Sequence, residues 1–178
     1  LDGTSSAPVI FTNYSDERVV IDGTIPITST WTQVGSSNLW RTKLTQDIWQ
    51  LFINWEEQVM ARWPNAKFND GTIWDNDNYW AKGTIDDDEN AYSNGTIIDD
   101  PYTNSAGTLI SLGAQGFDLD ETNKEAIAIL NLGSFRTWSR LVTNHSGNTF
   151  NYATVPSWKT KHHYYYLEGK IDLLDTQN

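Results

Sequence analysis

The chain has 178 residues, with 23 acidic side chains against 12 basic ones for a formal net charge of −11, and it contains no cysteine. That balance argues against nucleic acid as a partner, because phosphate neutralisation needs clustered Lys and Arg. It also disfavours free polyanionic polysaccharides, unless a divalent cation bridges carboxylates on both sides. The missing cysteines exclude a disulfide framework and zinc-thiolate sites. The length suits a single domain over residues 1–178 with a sizeable core. No apolar run is long enough to span a bilayer, so no membrane is expected as a partner. A start at Leu1 without a signal peptide reads as a segment of a longer protein.

Residues 1 to about 30 read as one rung of a stacked-strand solenoid. Val9, Phe11, Val19 and Ile21 alternate with outward-facing neighbours, and Gly3, Gly23 and Pro26 punctuate the turns. From Trp31 to Trp63 the pattern becomes antiparallel. Residues 38–44 alternate, 49–53 form a largely apolar strand, and 58–63 return and stop at Pro64. The connection Asn54-Trp55-Glu56-Glu57 lacks the glycine of a tight type I′ turn, so a longer loop with an exposed Trp55 is expected. Residues 65 to about 108 read as irregular and rich in Asp and Asn, with short helical turns at Asp-rich starts. Apolar residues 126–132 read as a strand. Residues 140–144 and 149–152 form a hairpin around a Gly-Asn turn, and 162–167 form a last aromatic strand.

Two stretches carry a resemblance. Residues 7–23, with Ala7-Pro8-Val9-Ile10-Phe11 and Glu17-Arg18-Val19-Val20-Ile21-Asp22-Gly23, are followed by Trp49-Gln50-Leu51-Phe52-Ile53 and Ala61-Arg62-Trp63-Pro64-Asn65. Together they resemble the N-terminal region of secreted right-handed parallel β-helix proteins, a group that includes many polysaccharide lyases. There a first rung precedes an inserted antiparallel unit, and residues 166–175 look like the return to the helix. The resemblance implies secretion, a polysaccharide partner, and contact with the remainder of a parent β-helix. The expected fold is mainly β: an antiparallel β-sandwich or curled sheet over 31–165, joined to a rudimentary parallel β-helix rung at 1–30.

Nine Trp and eight Tyr stand against a single Met. An indole offers a flat apolar face for a pyranose ring, while neighbouring Asn, Asp and Gln meet its hydroxyls. Trp49 and Trp63 sit in strand patterns and read as core. Trp55, Trp74 and Trp80 lie among polar residues and are the foremost candidates for carbohydrate contact. Trp138 and Trp158, near strand ends, complete the candidate set. Asp75, Asp77, Asp86, Asp88 and Asp99 supply the closely spaced oxygens that calcium requires, although no segment matches a twelve-residue EF-hand loop; calcium is the one cofactor expected.

Catalysis has little support. Arg62, Arg136, Arg140, His145, His162 and His163 follow no common spacing, and a strand sends His162 and His163 to opposite faces. In the resembling lyases the catalytic face comes from later rungs, so no residue here inherits a catalytic role. Asn13, Asn94 and Asn144 each open an Asn-x-Ser/Thr triplet. The expected function is a non-catalytic carbohydrate-binding module of a secreted β-helix protein. Its alternatives are a structural cap without ligand and a fragment of a polysaccharide lyase.

Overall fold

The computed structural model describes residues 2–46, 48, 50–84, 94–119, 126–133, 136–155 and 163–174. Trp49, Asp86, Asp88, Trp158 and His162 lie outside the described residues. The protein is mainly β and antiparallel, and it divides into two compact units, Leu1–Asp47 and Ile48–Asn178.

In the first unit β1 (Thr32–Gln33) pairs antiparallel with β2 (Trp40–Arg41). The segment expected to form a solenoid rung contains only an isolated bridge between Thr4 and Ala7 among its described residues, and the rung is not shown. A physical reason is available. Solenoid strands hydrogen-bond to the rungs above and below, so a single rung has no ladder partner and cannot bury both faces. Its apolar side chains accordingly stay exposed, Ile10, Phe11, Tyr14 and Ile21 most of all.

The second unit is built around a ring of six strands. These are β6 (Ala81–Thr84), β7 (Thr96–Asp99), β10 (Ile127–Gly133), β11 (Arg136–Ser146), β12 (Thr149–Tyr152) and β13 (Tyr164–Glu168). Pairing runs β10–β11–β12–β7–β6–β13, and β13 returns to β10, which closes a barrel. The short β5 (Arg62–Trp63) shares one edge of β13 with β6: Tyr164 and Tyr165 face Lys82 and Ala81, whereas Leu167 and Glu168 face Trp63 and Arg62. Outside the ring lie two hairpins, β3 (Leu51–Ile53) with β4 (Glu56–Gln58) and β8 (Tyr102–Thr103) with β9 (Leu109–Ile110). A one-turn helix, α1 (Asn76–Tyr79), follows a 3-10 turn at Thr72–Trp74.

Strand period decides what fills the barrel. Ala128, Leu130 and Leu132 on β10, Tyr165 and Leu167 on β13, Phe150 and Tyr152 on β12, and Ile97 on β7 alternate inward and are buried. Their partners Ile129, Tyr164, Tyr166 and Asn151 are only partly buried. Across the ladders the inward residues stack as Leu130 opposite Tyr165, Ala128 opposite Leu167 and Phe150 opposite Ile97. β11 pairs with β10 over its first half and with β12 over its second. The register shifts between Val142 and Asn144, as expected of a bulge that bends a strand around a barrel corner. At Gly83 an added Cβ would lie 2.6 Å from Ile97 Cγ2, so glycine lets the Ile97 side chain lie over β6.

Residues 65–108 are less irregular than their composition suggests, since β6 and β7 arise there. The connection at 54–55 is also tighter than expected. Ile53 pairs directly with Glu56 across a two-residue turn, in which Asn54 has φ 53° and Trp55 has φ 73°. This is the left-handed geometry of a type I′ hairpin, adopted without the usual glycine.

Candidate functional site

The β3–β4 hairpin and the segment 67–69 form the walls of a groove of about 320 Å³ lined by Glu56, Glu57, Gln58, Lys67, Phe68 and Asn69, among others. That volume lies at the lower end of the range for small-ligand sites, and its lining mixes polar groups with the apolar Val59 and Phe68. One wall is positioned by the hairpin ladder, with Gln50 Nε2 donating to Glu57 Oε1 at 2.8 Å. The other wall is fixed by local hydrogen bonds. The Lys67 N–H donates to Thr72 Oγ1 at 2.8 Å, the Ile73 N–H to the Lys67 carbonyl at 3.1 Å, and the Gly71 N–H to the Phe68 carbonyl at 3.2 Å. Asp70 accepts from both the Thr72 N–H and its hydroxyl, which holds its carboxyl below the usual carboxylate range.

Two exposed indoles adjoin residues of these walls, one by a ring contact and one as a chain neighbour. Trp74 is 76% exposed, and its ring lies against Phe68, a wall residue, at a centroid separation of 6.2 Å. Trp55 is 74% exposed and immediately precedes Glu56, on the opposite wall. Both positions agree with the expectation that polar-loop tryptophans stand outside the core. Trp55 does so from a backbone conformation that costs a side-chain-bearing residue about 1–2 kcal/mol. Trp55→Gly creates the Asn-Gly turn that hairpins prefer, so it should raise unfolding stability in urea by about 1 kcal/mol. A variant less stable than the parent would contradict the turn geometry.

Of the other candidate tryptophans, Trp80 and Trp138 are engaged in packing. Trp80 is partly buried, edge-on to Tyr166 at 4.7 Å, and Trp138 lies partly buried against the core. Around Trp80 the outward side of β13 gathers a polar aromatic corner that the sequence reading overlooked. Arg62, 1% exposed, donates from Nε to the Pro64 carbonyl and from Nη2 to the Tyr79 carbonyl. Its guanidinium carbon lies 3.8 Å from the Tyr166 ring centre. Burial pushes its pKa down to about 10, which leaves it cationic at neutral pH. Lys82 Nζ sits 4.0 Å from the centre of the Tyr102 ring, and the Tyr102 hydroxyl donates to the Trp80 carbonyl at 2.6 Å. The available signal was the alternation in Tyr164-Tyr165-Tyr166, which sends the outer two rings to one face.

Burial raises the tyrosine pKa values here: Tyr102 to about 12, and Tyr164, Tyr165 and Tyr166 also upward. Favouring the neutral phenol contributes stability that is fully present below about pH 10 and is lost as pH rises through the raised values. Ultraviolet titration should therefore show at least these four tyrosines ionising above pH 10. Ionisation of all eight near pH 10 in the folded protein would contradict this packing.

Three of the acidic candidates, Asp75, Asp77 and Asp99, are used locally. Asp75 caps α1, accepting from the Asn78 N–H at 3.2 Å and from Asn78 Nδ2 at 2.9 Å. Asp77 accepts from the Tyr164 hydroxyl at 3.2 Å. Asp99 is buried, with one oxygen receiving the Tyr165 hydroxyl at 2.6 Å and the other the Leu112 N–H at 2.8 Å. Among the described residues no three His, Cys, Asp or Glu side chains are grouped to hold a metal ion, and no helix is long and apolar enough to cross a membrane. Of the residues considered for catalysis, Arg62 is occupied as above and Arg140 donates to the Ala153 and Ser139 carbonyls. His145 Nε2 bonds to the Gly147 carbonyl, within its own hairpin turn. No protein-family model, curated protein or solved structure matches the chain.

Proposed function

We propose that this chain is a non-catalytic carbohydrate-binding module of a secreted carbohydrate-active protein, and that a sugar ring stacks on Trp74 while its hydroxyls meet the groove beside it. The observation that carries the reading is the exposure of the Trp74 indole next to a groove of amide, carboxylate and ammonium groups. An apolar face with a polar rim matches the two sides of a pyranose. Such an exposed ring on a hydrogen-bonded turn costs little side-chain ordering on binding. Calcium belongs to the same reading through the acidic segment that contains Asp86 and Asp88, and a glycan array run in calcium and in EDTA tests both parts. Trp74→Ala should leave the unfolding midpoint close to the parent's while weakening binding to the selected glycan by roughly 1–3 kcal/mol, or about 5- to 150-fold. Parent-like binding by this variant would remove the stacking platform from the proposal.

A second reading is favoured by the exposed apolar residues Ile10, Phe11, Val19 and Ile21. In it, residues 9–25 are a structural segment that gains its ladder partner from a parent β-helix. Polar replacements at Phe11 and Ile21 should then leave glycan binding intact and destabilise only the assembled parent protein.

A further inference from the structure

We infer that the ligand is a linear, neutral polysaccharide gripped along its chain at two stacking contacts, Trp74 and Trp55, one on each side of the groove. This rests on the glycan-binding reading above and specifies its ligand. Three observations lead to it. First, each wall has an exposed indole attached to it, Trp74 by its ring contact with Phe68 and Trp55 as the chain neighbour of Glu56. A ligand that meets both must extend across the groove, whereas a single sugar ring covers one indole face.

Second, Trp55 occupies a left-handed turn position, φ 73°, where glycine would be unstrained. Its exposed indole packs no core, so folding does not explain the choice of residue there. A contact made in the bound state does. Third, Glu56 and Glu57 outnumber Lys67 along the walls of a chain that carries a net charge of −11. A uronate polymer meets repulsion in that setting, while the hydroxyls of a neutral glycan find both donors and acceptors.

The test is calorimetric titration of the whole chain with cello-, manno- and xylo-oligosaccharides from monosaccharide to hexasaccharide, with polygalacturonate as the anionic comparison. Affinity should rise with length in one neutral series and level off once both walls are engaged. Trp55→Gly, which retains a favoured turn, should lower hexasaccharide affinity about 5- to 150-fold and abolish the gain with length. Trp74→Ala should weaken every member of the series. Short and long oligosaccharides bound equally by the parent, or a Trp55→Gly variant with parent-like affinity for the hexasaccharide, would overturn the two-contact grip while leaving single-ring stacking intact. Preference for polygalacturonate would overturn the neutral assignment. Failure of the parent to bind any saccharide would instead bring down the glycan-binding reading, and this inference with it.

Discussion

Replacing Trp63 by alanine should destabilise the second unit by about 3–5 kcal/mol, the cost of a large cavity in a core that relaxes only in part. Trp63 is 4% exposed. It packs edge-on against Phe117 and tilted against Tyr165, each at 6.2 Å, and it stands opposite Leu167 in the β5–β13 ladder. A truncation here empties the place where β5 covers the barrel edge. The neighbouring rings belong to different elements and cannot close the gap together. Urea unfolding followed by far-ultraviolet dichroism measures the loss. A change below about 1 kcal/mol, the level of ordinary surface substitutions, would mean that Trp63 is not a core residue.

Asp99→Ala should have an effect of comparable size by a different route. The carboxylate receives two buried donors, the Tyr165 hydroxyl and the Leu112 N–H, and alanine leaves both without an acceptor. Each orphaned donor costs about 1–3 kcal/mol. Asp99→Asn retains an oxygen for one of them and should be the milder change. The pH dependence separates this role from simple packing. Burial raises the Asp99 pKa, against the lowering influence of its two hydrogen bonds. An acid with a raised folded-state value contributes stability that is complete below its unfolded pKa of about 3.9 and is lost as pH rises through the folded value. Burial raises Glu168 as well, with the same sign, so the comparison must be parent against variant. The destabilisation caused by Asp99→Ala should be larger at low pH than at neutral pH. A pH-independent difference would show that Asp99 does not titrate across that window.

How much of this was legible in the sequence depended on whether the deciding interactions were local. The β11–β12 hairpin was readable, because Arg140–Tyr152 alternates around Gly147-Asn148 and those cues act within a few residues. The core strands β10 and β13 were readable for the same reason. Closure of the barrel was not, since it rests on β10 meeting β13 across a long loop. β6 and β7 were hidden, being four residues each in a region crowded with Asp and Gly. Yet Ile97 and Asp99 are two apart, and that spacing alone places the carboxylate on the buried face. The same carboxylate is also among the candidate calcium ligands. The turn at Asn54-Trp55 was misjudged because local preference calls for glycine, whereas the β3–β4 pairing holds two left-handed residues in place.

The candidate site divided along the same line. Exposure of Trp55 and Trp74 followed from their polar neighbours. The groove joining their surroundings did not, because it forms where β4 meets residues 67–69, two stretches that only tertiary structure brings together. Phe68, which supports Trp74 from the groove wall, carried no sequence signal of its own.

The most direct measurement is a two-dimensional nitrogen–proton spectrum of the nine tryptophan indoles during titration with the hexasaccharide that binds most tightly. Binding should shift the Trp74 and Trp55 indole signals together, in proportion to occupancy, while the Trp63 signal stays in place. A saturable titration that leaves both exposed indoles unmoved, or that moves the buried Trp63 instead, would contradict the proposal that this groove and its two flanking tryptophans hold the glycan.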